Sequence, residues 1–148
     1  MQRDGWDIDE GFDLHGFLSQ PLVARLATSH ASGPQVRPVW YQFDDGAFWW
    51  ITGEWSRLEE VLRRDPRVEL VVDTCDLQSG KVLQVRARGR AELRPFDAAR
   101  AQRWGERYLG PDKNRWGRFV SGVFEHPSSR FVCMRPTWLR AMDLSWRC

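Results

Sequence analysis

Lysine is almost missing from this chain of 148 residues: Lys81 and Lys113 are its only two, against 20 arginines. Cysteine is as scarce. Cys75, Cys133 and Cys148 are odd in number, far apart and without a CxxC pair, which argues against a disulfide framework or a zinc site and for reduced thiols. No apolar run approaches the roughly 18 residues that span a bilayer. The acidic start from Met1 to Glu10 has neither the basic nor the apolar region of a secretory signal. The expectation is a cytoplasmic protein with no membrane partner. The sequence also has no GxSxG elbow, no GxxxxGK[ST] phosphate loop, no GxGxxG after a strand and no HExxH pair. His15, His30 and His126 fall in a helix, a turn and a helix end, with no spacing that would bring two to one metal, so no metal site is expected.

What is present fits one globular domain over residues 1–148, with 1–12 as a loose N-terminal extension: 42% of the residues are hydrophobic and 28% charged. The net charge is only +2. Arginine's planar fork suits phosphates and carboxylates, although a GC-rich genome produces the same bias with no function attached. Nine tryptophans exceed what a core of this size needs, so some are expected to line a pocket or an interface. Aromatic rings beside guanidinium groups suit a planar, anionic, π-rich ligand. Single-stranded nucleic acid uses the same pair of residue types, but near-balanced charge argues against a nucleic-acid partner.

Local patterns predict mostly strands. Asp13 to Gln20 reads as a two-turn helix before Pro21, and Leu22 to Thr28 pairs through the SHASGP turn with an extended run over Gln35 to Phe43. Asp45-Gly46 then turns VRPVWYQF into AFWWIT, completing a three-stranded meander. Ser56 to Arg64 is a short helix with Leu58, Val61 and Leu62 on one face, and Val68 to Asp73 is a further strand. Lys81 to Leu93 alternates cleanly, with Gln84, Arg86, Arg88 and Arg90 opposite the apolar side. Asp97 caps a helix to Leu109, and Trp116 to Phe124 gives a second one with a wide apolar face that must bury against the sheet or a partner subunit. Arg130 to Met134 and Trp138 to Leu144 close the chain as two strands hinged at Pro136. The fold class is therefore mainly β (α+β), a small antiparallel barrel with helices packed outside.

Two places can hold an anion. Ser56-Arg57 sits at a predicted helix start, where free N–H groups and the arginine make a phosphate seat, though such a pair is also an ordinary cap. Arg37 lies mid-strand between Val36 and Pro38, facing either solvent or a buried anion. The three arginines of the alternating strand form either a ligand wall or a wet face.

The stretches Leu22 to Thr52, Ser56 to Asp73, Leu83 to Leu93 and Arg135 to Ser145 together resemble the flavin-binding split-barrel superfamily, the pyridoxamine 5′-phosphate oxidase-like proteins. The resemblance implies a homodimer of split barrels that binds FMN, or the deazaflavin coenzyme F420, in grooves at the subunit interface. It implies that Arg37, Val39 and Trp40 run along the isoalloxazine, that Ile51 and Thr52 lie beside it, and that Ser56 and Arg57 hold the phosphate. Gln84 and Arg86 match a segment whose side chains approach the cofactor, in some members from the other subunit. The pattern departs at Leu58, where many members carry a phosphate-contacting lysine, and at Val61, where asparagine is frequent; Glu59 and Glu60 add negative charge nearby. The implied activity is oxidoreductase chemistry on a small-molecule substrate, performed by the cofactor, with no catalytic side chain identified. Trp40, Trp50, Trp138 and Arg140 are the candidates on the substrate side. The alternative is a split barrel that has lost the redox cofactor and binds another aromatic anion or performs a non-redox step.

Overall fold

The structure, a computed structural model, describes residues 3–146, so Cys148 lies outside the described residues. Along the chain run β1 (Trp6–Ile8), α1 (Leu14–Leu18), β2 (Val23–His30), β3 (Gly33–Trp40), β4 (Gln42–Asp44), β5 (Ala47–Thr52), α2 (Leu58–Arg64), β6 (Arg67–Asp76), β7 (Lys81–Pro95), α3 (Ala98–Leu109), a π-helical segment Val120–Phe124, and β8 (Arg130–Asp143). Alternation decides the faces: Ala24 and Leu26 of β2, Leu70 and Val72 of β6, Val85 and Ala87 of β7, and Leu139 and Ala141 of β8 all point into one core.

Antiparallel pairing follows the order β3-β2-β6-β7-β8-β5-β4. The ends of that path, β3 and β4, are consecutive in the chain and separated only by Tyr41, so the sheet curls until its edges meet. The result is an antiparallel split barrel with flanking helices. The expected three-stranded meander does not form: β3 pairs with β2 and β4 pairs with β5, at opposite ends of the sheet. Tyr41 is the cause. Its side chain is fully buried and donates a hydrogen bond to the Leu18 carbonyl (3.0 Å), while its backbone N–H donates to the hydroxyl of Tyr108 on α3 (2.9 Å). The strand break is thus satisfied by two helices rather than by a neighbouring strand. The Asp45-Gly46 turn behaves as its sequence demands, with positive φ at both residues (52° and 71°).

Three further expectations are corrected. The closing strand is continuous through Pro136, because β8 itself bulges at the proline: Arg88 pairs with Trp138 and Gly89 with Pro136, leaving Thr137 over. A side chain at Gly89 would meet the Arg135 carbonyl at 2.7 Å, so only glycine fits there. The helix over Trp116 to Phe124 is shortened, since Gly117 turns at φ 54° and Val120–Phe124 winds as a π-helix. Its apolar face is only partly covered within the chain: Trp116 is buried, Phe124 meets Trp104 and Phe119 stacks on Trp40, while Phe119, Val120, Val123 and Phe124 stay half-buried. The segment before α1 is not loose, since Trp6 is buried and donates from its indole to the Pro136 carbonyl (3.1 Å), and β1 pairs in parallel with β8. Among the described residues no helix is long and apolar enough to cross a membrane.

Candidate functional site

A cleft of about 380 Å³ opens where β3, the end of β5 and the start of α2 face the outer helices. Arg37, Val39 and Trp40 line it from β3, Trp50, Ile51 and Thr52 from β5, and Ser56 and Leu58 from the following turn and helix. Alternation places Arg37 here: it is two residues from both Gln35 and Val39, on the half-buried side of β3, while Val36 and Pro38 are exposed. The guanidinium donates to the Ser56 hydroxyl (3.1 Å) and to the Gln35 side-chain carbonyl (3.3 Å), and no carboxylate among the described residues pairs with it. Ser56 in turn accepts from the Leu58 N–H (3.2 Å), capping the first turn of α2.

Other polar groups in the cleft wall are unanswered. Thr52 is buried with its hydroxyl unpartnered, and the indole N–H of fully buried Trp50 also lacks an acceptor within the chain. Such groups cost free energy unless a ligand or water meets them. On the apolar side Trp40 walls the cleft and stacks on Tyr108 (4.7 Å, 7°) and on Phe119 (5.4 Å, 16°). Gly53 keeps the turn tight beneath Trp55, since a Cβ there would lie 2.2 Å from the indole.

Past Trp55, Phe119 and Val123 the cleft continues into a wider outer chamber of about 950 Å³, which also meets Glu54, Arg118 and His126. Sequence composition points to tryptophans as pocket walls without singling out Trp55 or Trp104, and no local pattern points to Phe119 or to this chamber. His126 accepts the Ser128 backbone N–H at its Nδ1 (3.1 Å). It stands on the chamber wall because β5 and β8 are antiparallel neighbours (Thr52 beside Arg130), which sets the loops that follow one and precede the other side by side.

The remaining candidates are not brought together. Arg57 is exposed at the N-cap of α2 and does not line the cleft; the arginine that does is Arg37. Gln84 and Arg86 are on β7, outside it. Arg86 and Arg88 grip Glu69 (2.5 and 2.9 Å), with Arg88 also 4.2 Å from the centre of the Trp138 ring. Burial pushes the Glu69 carboxyl up, but the hydrogen bonds from Arg86 and Arg88 outweigh it and hold the group below its ordinary value. Arg140 is bound to Asp9 (2.8 Å) and Asp7 (3.4 Å), where it anchors β1. Trp138 and Arg140 therefore lie outside the cleft, on the outer face of this chain. Leu58 and Val61 are both buried on the packing face of α2, so the floor beside Ser56 is apolar. Glu59 pairs with Arg63 along the helix (2.8 Å). Burial raises the Cys133 thiol, and Cys75 is an exposed free thiol. No group of metal-ligating side chains occurs among the described residues.

The family model described as pyridoxamine 5′-phosphate oxidase matches residues 13–143. No curated protein sequence matches the chain. Among solved structures, a conserved hypothetical protein from Mycobacterium tuberculosis is similar with a TM-score of 0.71 and 26% identity, over 97% of this chain and 89% of the other. An F420 reductase aligns with a TM-score of 0.61 at 22% identity, over 89% and 98% of the two chains. An FAD-binding protein from Mesorhizobium loti aligns with a TM-score of 0.61 at 20% identity, over 88% and 91%. At these identities the last two show a shared fold.

Proposed function

The chain belongs to the pyridoxamine 5′-phosphate oxidase family, and from that premise we propose that it is an oxidoreductase that binds FMN or coenzyme F420 in the Arg37 cleft and exchanges hydride with a small organic substrate. The observation that carries this reading is the half-buried Arg37 guanidinium, which has only neutral partners in a cleft walled by Trp40, Trp50 and Trp55. A positive charge kept there without a carboxylate is stabilised by an anion from outside, and the aromatic walls suit the planar ring attached to it. The cleft volume is in the range of small-molecule sites. Arg37 and Ser56 would take the negatively charged tail, and Thr52 and Trp50 offer unanswered hydrogen bonds to the ring's polar edge. When bound, the cofactor supplies the hydride chemistry; this chain binds it, orients it and keeps water from it.

The same reading takes a homodimer as the working state, in which Gln84 and Arg86 serve the partner's cleft, and the cytoplasm as its place, where the free thiols of Cys75 and Cys133 stay reduced. Titration with FMN and with coenzyme F420, followed by tryptophan quenching, tests it. One of them binds at micromolar strength, about 8 kcal/mol. Binding of neither, together with tight binding of another aromatic anion, would replace this reading with a barrel that has lost its redox cofactor, a reading favoured by the apolar Leu58 floor.

A further inference from the structure

Between α3 and β8 the chain passes along the Arg37 cleft on a span that is fixed at its two ends and loose between them. Upstream, Trp116 is buried and its indole donates to the Gly110 carbonyl (3.0 Å). Downstream, the Ser129 hydroxyl donates to the Val123 carbonyl, and Phe124 lies against Trp104 and Trp116. No residue from 117 to 128 is buried, and among the described residues no hydrogen bond ties 117–122 to the sheet or to α3. A glycine stands at each end of the free stretch. Gly117 turns at φ 54°, and an added Cβ at Gly117 or Gly122 would meet nothing within 4 Å. The winding from Val120 is π-helical, a form found frequently at functional sites. The stretch also has room on more than one side: Phe119 and Ser121 border the outer chamber, while Val120 borders a separate groove of about 200 Å³ against α3. The ring contact that holds it to the barrel is the stack of Phe119 on Trp40 (5.4 Å, 16°), at the point where cleft and chamber join.

We propose that residues 117–122 are a flap over the Arg37 cleft, hinged at Gly117 and Gly122, and that Phe119 is its latch on Trp40. The flap controls entry to that cleft and so rests on the reading of the cleft as a binding site. With the latch closed, Phe119 narrows the passage between cleft and chamber and shields the Arg37 side from bulk water. With the flap raised, the phenyl ring leaves Trp40, the two spaces join, and a planar ligand passes to Arg37. Opening breaks one stacked pair and no hydrogen bond to the barrel, which places it among the low-cost local openings of a folded chain. The change in backbone angles falls on two glycines, the residues that absorb it most readily.

The test uses the full chain carrying Thr52→Cys, which puts a thiol on the cleft wall in place of a buried hydroxyl that has no partner. Alkylation by iodoacetamide, a small neutral reagent, is followed at each cysteine by mass spectrometry. Exposed Cys75 and buried Cys133, both outside the cleft, mark the rates of an open thiol and of one that needs unfolding. Alkylation is slow relative to local opening, so its rate follows the open fraction. The thiol introduced at the wall reacts more slowly than Cys75 and faster than Cys133, and its rate stays flat in low urea while that of Cys133 rises, because the flap exposes little surface. Phe119→Ala releases the latch and speeds the wall thiol about tenfold, still without urea dependence. Gly122→Ala fits the closed form, restricts the hinge and slows the wall thiol about threefold. The flap is disproved if the wall thiol reacts as fast as Cys75, if it follows Cys133 in urea, if Phe119→Ala leaves its rate unchanged, or if Gly122→Ala fails to slow it. Failure of FMN and coenzyme F420 to bind would overturn the oxidoreductase reading alone, since none of these measurements uses a cofactor.

Discussion

Two regions of this protein combine arginine with tryptophan and use them in opposite ways. On the outer face of β7 and β8, Arg86 and Arg88 lie near Trp138, and both are neutralised by Glu69. In the cleft, Arg37 shares the lining with Trp40, Trp50 and Trp55, and among the described residues it has only Ser56 and Gln35 as hydrogen-bond partners. The residue types are the same, and what separates the two is one carboxylate. A guanidinium with its acid in place is a strut between strands; one without it, half out of water, is a binding group. A count of arginines and aromatics cannot distinguish these cases, and three-dimensional placement of the acids can.

The tryptophans give the largest expected contrast. Trp40→Ala removes a ring stacked on Tyr108 and Phe119 and uncouples α3 and the π-helical segment from β3, at a cost of about 3 kcal/mol in chemical denaturation. Trp138→Ala loses only partly exposed cation–π contacts and costs less than about 1 kcal/mol. Equal losses would mean that the two aromatic groups do the same job. The arginines give the next contrast, in binding. Arg37→Ala weakens whichever of FMN or coenzyme F420 binds by about 2 kcal/mol, roughly thirtyfold, with little change in melting temperature. Arg88→Ala leaves that affinity within about twofold, because its charge is already answered by Glu69. Isothermal titration of the two variants side by side checks both numbers, and a larger loss from Arg88 would place the anion on the outer face.

Much of the barrel was legible because its signals are local. The Asp45-Gly46 turn, the alternation of β7 and the Asp97 cap of α3 each fit within a dozen residues and recur as read. What was not legible depends on partners far along the chain. Nothing near Tyr41 says that Leu18 and Tyr108 will satisfy it, and nothing near Pro136 says that a bulge opposite Gly89 will carry the strand through. The site divides in the same way. Arg37, Trp40 and Thr52 come from the first of the stretches that resemble the family and Ser56 from the second, and the structure sets them around one cleft. Arg57, Gln84, Arg86, Trp138 and Arg140 come from the same kind of comparison but fall outside it in a single chain. Glu54 and His126 meet only through the pairing of β5 with β8, so no motif could have announced them.

The smallest effect is the one that isolates the missing carboxylate, and it is a dependence on pH. Glu69 is held below its ordinary value in the folded chain by Arg86 and Arg88, against the opposing push of burial. Its folded pKa lies under its unfolded one, so its contribution to stability is full above the unfolded value, about 4.3, and disappears as pH falls through the folded value. Glu69→Gln keeps the shape and an acceptor but cannot ionise. The variant is therefore less stable than the parent at pH 7, and urea denaturation at successive pH values shows the gap closing as the medium becomes acid. A gap that stays constant down to pH 3 would mean that Glu69 acts there through packing and not through charge, and the outer face would lose the feature that sets it apart from the cleft.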